Sequence, residues 1–276
     1  MSGQLVGRHA LVTGGASGIG LAIALKLAEA GCDVGVGSLQ AGGSLPEAAY
    51  AALPEADDFA RLEQSIAALG VRSIARPLDV RLDHSVEALI AEIVDTFGGI
   101  DILVNAAGVS AQQSMIEHTD ETWNAVLDIN LNGAYRTIKR CFGGMRERRW
   151  GRIVNIASTA ANVGFPLYAA YCASKSALLG LTRCVALEGA AHGISCNAIN
   201  PGSVGTEMMR LGSQRRIAQG GEGTTVEENF AHVAEAMPQR RLIPAEEVAA
   251  LAVYLCTDEA FGITGEALTI SGGAQW

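Results

Sequence analysis

The sequence predicts an α/β fold, a doubly wound parallel sheet of about seven strands with helices on both faces. Three observations lead there. Short apolar runs alternate with amphipathic stretches, and three such β–α repeats in succession require parallel strands joined by right-handed crossovers. A glycine cluster, GGASGIG at 14–20, stands between the first apolar run and the first amphipathic stretch. Polar residues and glycines gather where the apolar runs stop, the edge at which open parallel sheets bind ligands.

Residues 9–13 (HALVT) form the first strand. The next stretch places Ile19, Ile23 and Leu27 at helical spacing and stops at Gly31. Gly14, Gly18 and Gly20 therefore occupy a strand-to-helix turn. Glycine lets the backbone turn tightly and approach a pyrophosphate, whose charge suits the helix N-terminus. Residues 33–38 (DVGVGS) form the second strand. A dinucleotide fold that prefers NAD usually closes this strand with Asp or Glu, which holds the ribose 2′-hydroxyl. Ser38 and Leu39 stand here instead. No carboxylate repels a 2′-phosphate, which favours NADP(H) over NAD(H), although no arginine is placed to bind one.

Residues 40–56 exceed the usual strand-to-helix link. Ser44, Pro46 and Glu47 read as the start of a short extra helix. A second helix runs from about Pro54, with Phe59, Leu62, Ile66 and Leu69 on one face. The segment is either a tolerated surface insertion or a cover over the adenosine end, with Arg61 contacting the 2′-phosphate. The third strand spans 73–80 and ends near Asp79. A capped amphipathic helix follows, with Val86, Leu89, Ile90, Ile93, Val94 and Phe97 inward. The fourth strand, 100–108, enters a turn at Asn105, Ala106 and Gly108.

Thr119 caps a long helix that carries Trp123, Val126, Leu127 and Asn130. An asparagine among apolar residues in mid-helix needs a bond to its own helix or a water or backbone contact beside an active site. The arginines of RERRW (146–150) suit the C-terminus of that helix; a docking patch for an acidic carrier protein is the other reading. The fifth strand, RIVNIAS, ends at Ser158, and the sixth, ISCNAINPG, ends at Pro201 and Gly202. Residues 203–242 are less periodic and suit a mobile lid. Pro244 opens a helix, and EALTIS is the last strand. No repeat or linker divides residues 1–276, which implies a single domain.

The totals exclude several classes. The chain has 276 residues, 49% hydrophobic and 18% charged, which fits a large core and excludes disorder. A formal charge of −9 makes nucleic acid or an anionic membrane a poor partner. The six cysteines form no C-x-x-C pair and read as reduced residues of a cytoplasmic protein without a metal site. No run approaches the roughly 18 apolar residues of a membrane span.

The chemistry concentrates in residues 158–175. Tyr171 and Lys175 are four apart and share one helix face. An ammonium beside a phenol favours the phenolate, so the tyrosine pKa is expected to fall toward working pH. Such a tyrosine can give a proton to an alkoxide or take one from an alcohol. Ser158, on the preceding strand, could aim at the same carbonyl oxygen.

Taken in order, TGGASGIG at 13–20, LDV at 78–80, NAAG at 105–108, NLNG at 130–133, Ser158, YCASK at 171–175, NPG at 200–202 and Thr206 resemble the short-chain dehydrogenase/reductase family in its compact, Rossmann-like form. The likeness covers nearly the whole chain. It implies catalytic roles for Asn130, Ser158, Tyr171 and Lys175, with Asn130 anchoring a water and Lys175 also bonding the nicotinamide ribose. It places Gly14, Ser17, Gly18, Ile19 and Gly20 around the pyrophosphate, and Ser38 and Leu39 at the adenosine 2′ position. Asp79 and Val80 would lie near the adenine, and Asn105, Ala106 and Gly108 near the adenosine ribose. Pro201, Gly202, Val204 and Thr206 would lie near the carboxamide. The resemblance also implies a homotetramer, or a homodimer.

The sequence departs from the family pattern at Ala106, where a second asparagine is common, and at Ser271, where Asp is common. The expected activity interconverts a ketone and a secondary alcohol. Val109, Phe165, Leu167, Tyr168, Met208 and Met209 are expected to line a pocket for a hydrophobic alicyclic, aromatic or acyl substrate. A 3-oxoacyl reductase acting on carrier-protein or CoA thioesters, and a non-catalytic cofactor-binding regulator, are the alternatives.

Overall fold

The computed structural model describes residues 3–220 and 225–274. Its first half runs β1 (His9–Thr13), α1 (Gly18–Glu29), β2 (Asp33–Ser38), β3 (Ala49–Tyr50), α2 (Ala56–Ala67), β4 (Ser73–Pro77), α3 (Asp83–Phe97), β5 (Ile102–Asn105) and β6 (Ser110–Ala111). The second half runs α4 (Asp120–Leu127), α5 (Gly133–Arg148), β7 (Gly151–Ile156), α6 (Ala169–Gly189), β8 (Ile194–Pro201), α7 (Glu207–Ala218), α8 (Val226–Ala236), α9 (Ala245–Leu255) and β9 (Ala267–Ile270). Seven strands form one parallel sheet in the order β4-β2-β1-β5-β7-β8-β9.

Period-2 alternation divides the strands between two cores. In β1, Ala10 and Val12 pack with Ile23 and Leu27 of α1, Phe59, Leu62 and Ile66 of α2, and Val248 of α9. Leu11 points to the other face, where it joins Val86, Leu89 and Ile93 of α3 and Ile138 and Met145 of α5. Both faces are covered, which is why the strands read as unbroken apolar runs. The register aligns Thr13 with Asn105 and Asn105 with Asn155. The strands thus place a row of polar side chains along one edge of the sheet.

Several expectations are corrected. No helix starts at Ser44; residues 44–48 are irregular, and Ala49–Tyr50 pairs antiparallel with Ser110–Ala111. The cause is tertiary: Arg215 of α7 takes the Glu47 and Ala48 carbonyls at 2.8 and 2.9 Å, groups a local helix would have used itself. The second helix forms as expected, but Leu69 lies beyond it and is exposed, as is Val94 on α3. The third strand stops at Pro77, which has no N–H to extend the ladder.

The long helix from Thr119 is not continuous. A π turn at Asp128–Asn132 separates α4 from α5. Thr119 does cap it, accepting from Thr122 N–H. The region 203–242 holds two helices, α7 and α8, and residues 221–224 of that expected lid lie outside the described residues.

The turn after β1 sets the tightest constraint. A Cβ on Gly20 would lie 2.1 Å from the Gly14 carbonyl oxygen, and that neighbour is backbone. Gly20→Ala is expected to destabilise the protein by about 1–3 kcal/mol or more, as overpacking does. Gly143 on α5 is exposed and has nothing within 4 Å of its Cβ position. Gly143→Ala should instead stabilise by about 0.5–1 kcal/mol through helix propensity. Urea unfolding of both variants checks the pair.

Candidate active site

Beyond the carboxyl ends of the strands lies a cleft of about 390 Å³. The glycine turn forms one wall. Gly14 has φ +66°, and a Cβ there would lie 2.7 Å from the backbone of Ala106 and Ala107. Its N–H donates to the Gly37 carbonyl at 2.6 Å, and Ala16 N–H donates to the Ser38 hydroxyl oxygen at 3.0 Å. Ser38 thus braces the turn as well as lining the cleft beside Leu39. Ser17 is the N-cap of α1 but makes no side-chain cap; its hydroxyl donates to the Ala52 carbonyl instead, at 3.0 Å. No cap from Ser17 therefore competes for the first N–H groups of α1, and the positive end of that helix, at Gly18 and Ile19, lines the cleft. These features fit an anionic dinucleotide laid across the turn.

Asp79 and Val80 follow β4 and line the same cleft, as do Ala106 and Gly108 after β5, and Pro201, Gly202, Val204 and Thr206 after β8. Thr206 caps α7 by accepting from Met209 N–H, and its methyl group lies 3.5 Å from the Cβ position of Gly18. The last strand-to-helix connection therefore meets the first. Arg81 binds both carboxylate oxygens of Asp79, which holds that carboxyl below the usual range although partial burial, the largest influence, pushes the other way.

Tyr171 and Lys175 lie on α6, and Ser158 reaches them from the end of β7. Ser158 lies beyond the strand, as the extended N-cap of a short 3-10 turn, where its oxygen accepts from Ala160 N–H. It also lies against Tyr171 and favours that residue's phenolate form. The Lys175 ammonium is 5.7 Å from the centre of the Tyr171 ring and donates to the Ile156 carbonyl at 2.7 Å. The expected acidification of the phenol by this neighbour is corrected. Desolvation raises the Tyr171 pKa, and Ser158 opposes it. Lys175 itself is brought down to about 8 by burial. Enclosure outweighs the ammonium because the lysine is turned onto a backbone carbonyl and is equally desolvated.

Asn130 sits in the π turn, buried beneath this pair. Its side chain accepts from Val109 N–H at 2.8 Å and donates to the Val109 carbonyl and the Ser174 hydroxyl, each at 3.0 Å. Ser174 donates to the Tyr171 carbonyl at 2.8 Å. The asparagine thus makes the backbone contact that its place in the sequence demanded, and ties α6 to the turn after β5. A Cβ on Gly108 would meet its carbonyl oxygen at 3.4 Å and the lysine nitrogen at 3.6 Å.

Some expected residues stand elsewhere. Asn105 does not line the cleft; it is turned inward, donating to Asn155 at 2.9 Å and accepting from Thr137 at 2.6 Å. Arg61 is exposed and paired with Asp58, away from the adenosine end. Arg148 binds Asp101, and Arg149 reaches the Ala191 carbonyl. Both partners precede strands, so these arginines occupy the edge opposite the cleft. Val109, Phe165, Tyr168, Met208 and Met209 line the pocket as expected, but Leu167 is exposed, with φ +72°.

Sequence reasoning missed Tyr50, Gln112, Ser174 and Arg216. Tyr50 and Arg216 line the cleft, while Gln112 and Ser174 brace residues that do. No local signal marked Tyr50 and Gln112, since both act through contacts distant in sequence. Among the described residues, no group of three or more His, Cys, Asp or Glu could hold a metal ion. No helix among them is long and apolar enough to cross a membrane.

The family profile described as Enoyl-(Acyl carrier protein) reductase matches residues 14–275. The chain is 34% identical over 270 residues to a D-beta-hydroxybutyrate dehydrogenase of Rhizobium meliloti (strain 1021), covering 96% of this chain and 98% of the relative. It is 35% identical over 266 residues to an acetoacetyl-CoA reductase of Shinella zoogloeoides, covering 96% and 98%. Among solved structures, an actinorhodin polyketide ketoreductase variant with NADPH superposes with a TM-score of 0.88 at 35% identity, covering 99% of each chain.

The lysine carries a pH signature. Its folded pKa of about 8 lies below its ordinary value of 10.5. Between those values the unfolded chain holds the extra proton, so stability from this group rises with pH across that window. Relative to Lys175→Met, the wild type should gain about 3 kcal/mol between pH 8 and 10.5, with no difference in slope below pH 7. Denaturant unfolding of both proteins across that range measures it.

Proposed function

The chain belongs to the short-chain dehydrogenase/reductase family and is an NAD(P)-dependent oxidoreductase of the ketone/alcohol class; from that premise we propose that Tyr171 is its acid/base and Ser158 the second hydroxyl on the substrate oxygen. The observation that carries this reading is the convergence of Ser158, Tyr171 and Lys175 in one cleft with the glycine turn. A nicotinamide cofactor bound there supplies or takes up the hydride. The protein positions the carbonyl and handles the proton. Ser158 donates a hydrogen bond to the carbonyl oxygen, and the Tyr171 hydroxyl gives it the proton as negative charge develops. The raised pKa of Tyr171 keeps the phenol protonated through neutral pH, which suits reduction. Lys175 and Asn130 hold this arrangement from below, with Asn130 anchoring a water on the proton path to solvent.

We assign the glycine turn to the pyrophosphate, Asp79 and Val80 to the adenine, and Val204 and Thr206 to the carboxamide. Helices α7 and α8 act as the lid. Asn105 supports the ribose site indirectly, through the turn it holds. NADP(H) is favoured over NAD(H) because Ser38 and Leu39 offer no carboxylate at the 2′ position. Arg216 is the one lining cation besides Lys175 among the described residues. The apolar side chains at the pocket mouth favour a hydrophobic carbonyl compound, alicyclic, aromatic or acyl. The acetoacetyl-CoA reductase relative favours a 3-oxoacyl thioester as the second reading. Exposed Tyr135 on α5 and Leu187 on α6 support a homotetramer or homodimer. Six unpaired cysteines support a cytoplasmic setting.

Tyr171→Phe should lower kcat for ketone reduction by about 10²–10⁴-fold, with cofactor affinity kept within a few-fold. Retention of most turnover would remove Tyr171 from the mechanism. Ser38→Asp should shift the kcat/KM ratio toward NADH by repelling a 2′-phosphate. Steady-state rates with both cofactors measure it, and an unchanged ratio would place the choice at another residue.

A further inference from the structure

Three phenols, not one, stand in this cleft. Tyr168 lies one turn before Tyr171, their ring centres 6.4 Å apart and edge-on. Tyr50 comes from the 40–56 insertion. Behind them the buried amide of Gln112 donates from Nε2 to the hydroxyl oxygens of both Tyr168 and Tyr50. The Gly212 carbonyl, 3.5 Å from the same nitrogen, can only accept, which fixes the amide with its N–H groups toward the phenols. The amide nitrogen has two N–H groups, and the one held by Tyr168, its nearest acceptor, leaves that phenol's own proton to be donated elsewhere. Burial raises the pKa of Tyr50, neighbouring Tyr168 raises it further and Ser110 opposes, so Tyr50 stays a neutral phenol. Tyr168 lines the cleft beside Tyr171.

The insertion is built to hold this group. Strand β3 pairs with β6, which sets Tyr50 opposite Ser110, two residues before Gln112. Arg215 grips the Glu47 and Ala48 carbonyls and lies over the Tyr50 ring at 4.9 Å. Gly212 gives Tyr50 its room, since a Cβ there would lie 2.8 Å from the phenol oxygen. A buried amide, an inserted strand and a lid helix thus converge on one hydroxyl that does no proton transfer.

We propose that Tyr168 is a second substrate-contacting hydrogen-bond donor, positioned by Gln112 and Tyr50, and that the substrate carries a further acceptor oxygen near the carbonyl that is reduced. The proposal rests on the reading of Tyr171 as the proton donor. The pocket is then apolar at its mouth and polar beside the reacting group. A substrate with one carbonyl and otherwise only hydrocarbon leaves the Tyr168 proton without a partner. One with a neighbouring carbonyl, ester or hydroxyl oxygen satisfies it.

The test compares ethyl 3-oxobutanoate with heptan-2-one, ketones of equal chain length of which only the first has a second carbonyl. Tyr168→Phe should lower kcat/KM for the ester at least tenfold, mostly through KM, and change the ketone by less than twofold. Gln112→Met and Tyr50→Phe should reproduce the loss in part, with thermal unfolding confirming that each variant is folded. Where turnover of either compound is too slow, calorimetric binding of the same pair to the NADPH complex makes the same comparison. Equal losses for both compounds, or none for either, would overturn the proposal. Tyr171→Phe separates the two readings: it should abolish reduction of both compounds, and if it does not, the acid/base assignment fails whatever Tyr168 does.

Discussion

The hydrogen bond from Lys175 to the Ile156 carbonyl is the contact on which the site depends. It joins α6 to β7, the two elements that carry Tyr171 and Ser158. The lysine is 5% exposed, so it is held where its charge is costly. That cost appears as a pKa near 8. A surface lysine could not fix the spacing of a phenol and a hydroxyl, because its long side chain would sample many rotamers. Burial removes that freedom, and the backbone carbonyl gives the ammonium one place to go. The same enclosure raises the pKa of Tyr171, so the environment that aligns the groups also sets their protonation.

A second constraint lies one layer deeper. The π turn at Asp128–Asn132 adds a residue to the helical winding and turns Asn130 onto Val109 and Ser174. A regular helix would have carried that side chain past the turn after β5. Single π turns recur at functional sites for this reason. Asn105, Asn155, Thr137 and Thr182 then form a buried chain of hydrogen bonds that joins β5 and β7 to α5 and α6. The connections after β5 and β7 lean on these polar contacts, which are worth most where water is excluded.

Much of this was legible in the residues. The strands and helices of the sheet follow from apolar periodicity, and the Tyr171–Lys175 pair follows from helical spacing. The glycine turn was legible because a strand before it and a helix after it leave few other uses for Gly14, Gly18 and Gly20. What was not legible depends on partners distant in sequence. Ser44, Pro46 and Glu47 spell a helix start, yet Arg215, some 168 residues on, claims the carbonyls that the helix needs. Arg61 has the right charge for a phosphate but is taken by Asp58 one turn earlier. The tyrosine pKa was misjudged for a related reason: spacing gives the distance to an ammonium, but not the degree to which both groups are desolvated.

The insertion shows how such distant contacts translate into function. Long loops are usually tolerated because they cost little closure entropy, not because they contribute much. Here the loop carries a two-residue strand, takes a bond from Ser17 at the glycine turn, and meets α7 through Arg215. It therefore touches both ends of the cleft, the turn fitted to a pyrophosphate and the phenols beside the reacting oxygen. A segment that bridges the two can transmit the seating of one ligand to the shape offered to the other. Tyr50 and the Ala52 carbonyl that accepts from Ser17 lie two residues apart, so one short stretch of chain meets both halves of the site.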